Sequence, residues 1–380
     1  MSARNLDEMI TDAEKNFIRL MPKAELHRHL HGSISPDVYQ QLIEKYGFDT
    51  IFNAFPDWYK ERVALIPRVK DFLQSQKDLI AITTFIQKPA EDFSEFAAAF
   101  CILNAFVRDF SDYEIVFSDL VQQLKATNTV YAELILMSSS VNTEVISYTE
   151  FFDFLAQKRL EIKRAHGIEL NWIFDFIRDL GAKRVLELAG ELAREKFKHL
   201  VGITLGGSEK HFPARLFKEA YEIIRANTDI HLSVHAGEGT EPGSVWDALN
   251  ILRVERIGHG VNVIEDQNLQ DFMVENSIPI EICITSNLKT GVVSSLAEHP
   301  VKSFFNKKIP LIINTDDPAF FLTDLVSEFE ILQEYFAFSR EEISVLVENS
   351  FKFAFIATEE KRTYLGKLKQ FIKSYKSGQG

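Results

Sequence analysis

Cysteine is almost missing from this chain: its 380 residues contain two, Cys101 and Cys283, far apart in sequence. Two isolated thiols cannot build a disulfide framework, which points to a reducing, intracellular setting. Also missing is any run approaching the ~20 apolar residues that a membrane span requires. The N-terminal stretch mixes Asp7, Glu8, Asp12, Glu14 and Lys15 with scattered apolar residues, so it lacks the unbroken apolar core of a signal peptide. A cytoplasmic protein is the expectation. Basic charge is in deficit, with 42 Lys and Arg against 55 Asp and Glu and a formal net charge of −13. Nucleic acids and anionic membranes both demand a basic face, so neither is an expected partner. There is no Gly/Ser or Pro-rich linker, low-complexity tract or short-period repeat, and residues 1–380 read as one domain.

The material that is present is ordinary for a large core, 46% hydrophobic, with 32 Phe residues suited to filling a core and an apolar pocket. Its arrangement is informative. Short apolar or β-branched runs read as strands at Ala24–His29, Tyr131–Leu136, Asn171–Phe176, Val201–Leu205, Ile230–His235, Arg256–Gly258, Ile278–Cys283 and Ile309–Asn314. Between the later runs lie helical patterns. Val185, Leu188, Ala189, Leu192 and Ala193 recur at helical spacing, followed by Phe212–Ala226, Ser244–Leu252, Glu265–Glu275 and Leu296–Asn306. Strands alternating with helices form parallel βαβ units. With no nucleotide-binding glycine fingerprint, the pattern fits a closed (β/α)8 barrel (TIM barrel) better than an open dinucleotide-binding sheet. A long helical insertion, Ser33 to Asn128, follows the first strand, and extra helices from Glu328 to Tyr375 close the barrel.

Catalytic groups of such barrels gather at the C-terminal ends of the strands. Of ten histidines, His27, His29, His235 and His259 stand at strand ends, and Asp316-Asp317 follows the last strand. His27 and His29 are two apart on a strand, so both imidazoles point to one side. A lone histidine at a strand end is more often a hydrogen-bonded structural residue, but three strand ends converging on one mouth favour a metal site. Imidazole nitrogens with one carboxylate suit zinc and leave a position for water, whose pKa zinc can lower to about 7. In His235-Ala-Gly-Glu238 the small residues let the chain turn Glu238 back toward the mouth. A carboxyl there is suited to being a general acid with a raised pKa; the alternative is a cap on the next helix. His259 is either a fourth nitrogen ligand or a group that orients the attacking water. Asp316 and Asp317 point to opposite faces, one able to ligate metal and the other to reach substrate; the alternative is two solvated loop acids.

Taken together these stretches resemble the adenosine deaminase family of metal-dependent amidohydrolases. The resemblance rests on Pro22-Lys-Ala-Glu-Leu-His-Arg-His-Leu30, the Gly207 region, His235-Ala-Gly-Glu238, Gly258-His-Gly260, Thr285-Ser-Asn287 and Asn314-Thr-Asp-Asp-Pro318. It implies one zinc ion per chain bound by His27, His29, His235 and Asp316. It implies that Glu238 protonates purine nitrogen 1 and that His259 orients and helps deprotonate the water. His29, His31, Gly207 and Asp317 would face the substrate, Asp317 at nitrogen 7 and the Gly207 amide at nitrogen 3. The helical insertion would be a lid. The fourth strand ends Thr204-Leu-Gly-Gly207, without the bridging Lys of dinuclear relatives, and no Pro-Cys-x-x-Cys element of cytidine-deaminase-type enzymes is present.

Departures from the family pattern cluster on the substrate side. His31 stands where an Asp that contacts ribose is usual, a Glu in adenine deaminases, or an Asn in enzymes acting on methylated AMP. It is expected to lie at the sugar end, where it could be protonated beside a phosphate and alter 5′ preference; the alternative is a surface loop histidine. Ser208 and Thr204 replace frequent Asp, Ile284 a common Pro, and Ile135 a common Arg. The leading reading is deamination of adenosine and 2′-deoxyadenosine by a monomer or homodimer. Other 6-aminopurines are the alternatives: adenine, methylated AMP, or 5′-modified adenosines such as aminofutalosine and methylthioadenosine. An inactive purine-binding relative is the reading from a different class; it would be expected to have lost a ligand or the acid, and all are present.

Overall fold

Parallel strands covered on both faces need near-continuous apolar runs. Eight such runs pair side by side in chain order: β1 (Lys23–His29), β2 (Thr129–Met137), β3 (Glu169–Ile177), β4 (Leu200–Gly206), β5 (His231–Ala236), β6 (Arg256–His259), β7 (Ile280–Ile282) and β8 (Leu311–Ile313). Every neighbouring pair is parallel. The ring meets through a parallel bridge between Arg28 and Asp316. There the Asp316 N–H donates to the His27 carbonyl at 3.1 Å and the His29 N–H donates to the Asp316 carbonyl at 2.9 Å. The result is the expected (β/α)8 barrel. The computed structural model describes residues 11–87, 93–141, 143 and 145–376.

Helix α1 (Asp12–Leu20) precedes β1. Its C-terminal carbonyls are met by the buried Lys23 ammonium, which donates to Ile18 at 2.6 Å and Met21 at 2.7 Å. The insertion between β1 and β2 holds α2 (Pro36–Tyr46), α3 (Phe48–Asn53), α4 (Asp57–Val63), α5 (Pro67–Gln74), α6 (Leu79–Gln87), α7 (Phe93–Asn104) and α8 (Phe110–Ala126). The later crossovers are α9 (Tyr148–His166), α10 (Gly181–Glu195), α11 (Lys218–Asn227), α12 (Gly243–Asp247), α13 (Gln267–Glu275), α14 (Ile284–Lys289) and α15 (Val301–Lys307). After β8 come α16 (Pro318–Phe321), α17 (Leu325–Glu334), α18 (Arg340–Phe353) and α19 (Thr358–Lys376).

Local chemistry sets several boundaries. Capping boxes start α8 at Asp109 and α9 at Ser147, each side chain accepting from a first-turn amide while the third residue reaches back. The helix expected over Leu296–Asn306 divides into a 3-10 turn (Leu296–Glu298) and α15, because Pro300 has no N–H to carry a helix through. The last two strands are shorter than their apolar runs, three residues each. Cys101 and Cys283 are free thiols. Among the described residues no helix is long and apolar enough to cross a membrane.

Candidate active site

The closure seam between β8 and β1 brings His27 and His29 beside Asp316, and His235 at the end of β5 completes the group. One ligand atom from each of these four buried residues lies within 4.8 Å of the others. Two of the three rings are held from behind, while His29 Nδ1 is buried without a hydrogen bond. His27 Nδ1 lies 2.8 Å from Glu281 Oε2, and His235 Nδ1 lies 3.2 Å from Thr204 Oγ1. Asp316 Oδ2 accepts from Ser286 Oγ at 2.7 Å. Such outer contacts orient metal ligands. The inward atoms are left to each other: His27 Nε2 lies 3.5 Å and His29 Nε2 3.3 Å from Asp316 Oδ1. His27 Nε2 is buried without any hydrogen bond.

Asp316 and Glu281 bring negative charge against His27. Burial opposes a charge on His27, yet Asp316 and Glu281 outweigh it and raise its pKa to about 10. Three imidazoles, a carboxylate and an orphaned nitrogen are a donor set that fits one divalent ion such as zinc. Asp316 and His259 both hold left-handed backbone, at φ 63° and 62°. Non-glycine residues rarely adopt that region, and functional sites are where such strain is retained.

A cavity of about 560 Å³ opens from this cluster, lined at the inner end by Glu238, His259, Asp317 and Gly207. Glu238 Oε2 is 3.7 Å from His259 Nε2. Burial, then Asp316 and Glu209, push the Glu238 pKa up to about 8, so it carries its proton at neutral pH. Burial lowers His259 to about 4, and its Nδ1 sits 3.2 Å from the Asn287 amide. His259 therefore stays neutral, and it stands outside the four-residue cluster. Asp317 Oδ1 is buried with no hydrogen-bond partner. Burial and the neighbouring Asp316 charge raise its pKa above the usual carboxylate range. This carboxylate lies directly against Gly32, where any Cβ would collide with it.

Family comparison settles what this arrangement belongs to: the adenosine deaminase family model matches residues 73–371. The chain is an adenosine deaminase family member. An aminodeoxyfutalosine deaminase of Streptomyces avermitilis is 31% identical over 344 residues, 90% of this chain and 88% of that one. An adenosine deaminase of Escherichia coli is 30% identical, covering 90% and 96% of the two chains. An adenine deaminase of Sinorhizobium fredii is 28% identical, covering 88% and 94%. Among solved structures, the adenine deaminase of Arthrobacter aurescens superposes with a TM-score of 0.78 at 23% identity, covering 93% of this chain and 99% of that one. A zinc-containing amidohydrolase of Burkholderia ambifaria gives 0.76 at 19% identity, covering 99% and 98%. Both share the barrel. Membership makes this chain a hydrolase of carbon–nitrogen bonds from a metal-dependent family whose relatives act on small purines.

Within this family member, three placements differ from expectation. Asp316 and Asp317 do not part to opposite faces: Asp316 has left strand geometry for the left-handed region, and both carboxylates line the same cavity. Neither is a solvated loop acid, at 6% and 5% exposure. His31 is not a surface residue and is not among the cavity's lining residues. It is buried in a 3-10 turn, edge-on to Tyr113, with Nε2 3.3 Å from the Tyr113 hydroxyl. Burial lowers its pKa to about 3, so it is not a protonated phosphate contact.

Glu209 is a residue that sequence reasoning passed over. Its Oε1 accepts from Gly237 N–H at 2.8 Å and Ser244 Oγ at 2.9 Å, and its Oε2 from Glu238 and Gly239 N–H at 3.1 and 3.0 Å. One carboxylate thus holds the whole turn that presents Glu238. Its position two residues after Gly207 was the available signal, but the amides it serves lie on another loop. Gly207 itself lines the cavity at φ 95°, where a Cβ would strike the Asp179 carboxylate.

Proposed function

We propose that the chain removes the 6-amino group of an adenosine-type nucleoside by hydrolysis, converting adenosine and 2′-deoxyadenosine to inosine and 2′-deoxyinosine plus ammonia. The observation that carries this reading is the Glu238 carboxyl, 3.7 Å from His259 and opening on the same cavity as the four-residue cluster. His27, His29, His235 and Asp316 would hold one zinc ion per chain, which when bound supplies water activated near neutral pH. Glu238 gives its proton to purine nitrogen 1, drawing electrons from the adjacent carbon 6. Neutral His259 orients the attacking water and assists its deprotonation. Protonated Asp317 donates to nitrogen 7, and the Gly207 N–H donates to nitrogen 3, so the ring is gripped at three edges. On this reading residues 1–380 form one catalytic domain serving purine salvage in the cytoplasm, with the helical insertion as its lid.

A second reading, a 5′-modified adenosine as substrate, is favoured by His31. The acidic group that family resemblance places at the sugar is absent, and the imidazole is turned to Tyr113. A relative named aminodeoxyfutalosine deaminase is consistent with it.

The test is a spectrophotometric deamination assay on zinc-loaded protein with adenosine, 2′-deoxyadenosine, adenine, AMP and methylthioadenosine, alongside Glu238→Gln. Rapid adenosine turnover that collapses in the variant supports the first reading. Turnover restricted to 5′-modified members moves the assignment to the second. A zinc-loaded chain inert toward every 6-aminopurine defeats both.

A further inference from the structure

The charged groups lining the cavity are sorted by depth. Asp175, Asp179, Glu238, Asp316 and Asp317 come from the barrel, and the single permanent cation among the described lining residues, Arg62, comes from the insertion. Arg62 ends α4 one turn after Trp58, so the two side chains share a face of that helix. Both line the cavity, and Trp58 is 65% exposed. Neighbouring cations of the insertion are engaged: Lys60 pairs with Asp57 at 2.9 Å, and Arg68 donates to the Phe85 and Ile86 carbonyls at 2.5 and 2.6 Å. Among the described residues the Arg62 guanidinium has no hydrogen-bond or ion-pair partner.

The chemistry of the purine fixes what reaches this mouth. The 9-substituent lies across the bicyclic ring from carbon 6. A nucleoside with carbon 6 at the cluster therefore directs its sugar, and the 5′ carbon beyond it, outward. A base and one sugar fill only part of about 560 Å³, a volume of the class that encloses most of a drug-sized ligand. The lining on the side of the insertion is otherwise largely apolar, with Val63, Ile66, Phe96 and Phe100. An exposed Trp one helical turn from an unpaired guanidinium suits a group that is flat or apolar along its length and negative at its tip. The acids of the barrel repel such a tip and Arg62 attracts it, so the polarity of the cavity also sets which end enters first.

We infer that Trp58 and Arg62 form a distal subsite that selects 6-aminopurine nucleosides bearing an anionic group on an apolar 5′ extension. This deepens the proposed deaminase function and rests on it for the orientation of the purine. The anion is a carboxylate or a phosphate, and substrates separate the two.

The experiment compares 5′-deoxy-5′-(carboxyphenylthio)adenosine with its uncharged phenylthio analogue, and AMP with adenosine. Turnover gives kcat/KM and calorimetry gives Kd, for the wild-type chain, Arg62→Gln and Trp58→Ala. The charged member of at least one pair is expected to be favoured by about fivefold or more, with a preference that shrinks in high salt. In Arg62→Gln that preference falls toward one; in Trp58→Ala both aryl analogues weaken together while the charge preference persists. Preference within the aryl pair identifies a carboxylate, and preference within the AMP pair a phosphate. Charge preferences that are absent, or equal in wild type and Arg62→Gln, overturn the subsite. Binding separates the two claims: if Arg62 governs Kd but no purine is deaminated, the reaction assignment fails and the subsite stands.

Discussion

The two ends of the barrel bury similar charged residues and treat them oppositely. Toward the N-terminal ends of the strands, Arg256 Nη2 meets Glu133 at 2.6 Å and Arg256 Nε meets Glu281 at 2.6 Å. Glu133 also accepts from the Tyr131 hydroxyl at 2.8 Å and the Phe355 N–H at 2.5 Å, and the guanidinium lies 3.5 Å from the Phe355 ring centroid. At the other end Asp316 and Asp317 adjoin with no Lys or Arg among the described residues paired to either, and His27 Nε2 and Asp317 Oδ1 lack hydrogen bonds. Buried acids that face a permanent cation belong to the scaffold; acids buried side by side without one await a ligand. Glu281 joins the two regimes, one oxygen facing Arg256 and the other His27.

Breaking the chemistry at the open end should have the largest effect. Glu238→Gln keeps the shape of the side chain and removes its proton, so kcat/KM should fall by about 100- to 10,000-fold. Thermal unfolding should shift little; a comparable loss of stability would mean that Glu238 belongs to the scaffold. The satisfied end should respond the other way. Arg256→Met strands Glu133 and Glu281, and urea unfolding should show a loss of about 3–5 kcal/mol. Adding Glu133→Gln should restore part of it, and a lack of any coupling would contradict the pairing. Zinc affinity should weaken as well, by about tenfold or more, because Glu281 then orients His27 less firmly.

Glu209→Gln tests the connection between the regimes. A carboxamide offers one acceptor oxygen where the turn uses two, so kcat should drop about tenfold with KM changed less. A purely structural Glu209 would instead lower stability and leave that ratio alone. The smallest effect is in pH. The Glu238 pKa is raised to about 8, so its acid form is complete below that value and lost as pH climbs through it. The kcat/KM profile should therefore fall to half near pH 8 on its alkaline side, and that limb should disappear in Glu238→Gln.

Much of this contrast was legible before any coordinates. All eight strands lay under apolar runs, and His27, His29, His235 and His259 were marked by standing where such runs stop. The supporting shell was not. Glu281 lies between Ile280 and Ile282, and Asp175 between Phe174 and Phe176, where alternation says only that they face away from their neighbours. Their partners are set by barrel closure: Glu281 and His27 are 254 residues apart. The direction of His31 was equally out of reach, because a 3-10 turn has no periodicity to say that the ring faces Tyr113.

The seam between β8 and β1 has a consequence for biosynthesis. Asn314 Oδ1 accepts from the Leu26 amide at 2.8 Å across 288 residues, and Asp316 bonds the backbone of His27 and His29 beside it. The last member of the four-residue cluster and the final stitch of the barrel therefore arrive together. A nascent chain that has displayed His27, His29 and His235 still has no fourth donor, and no closed ring to fix the first two. Closing so long a loop is a late and slow event. On the proposed zinc reading, capture of the ion would wait until Asp316 has been made and the ring can close.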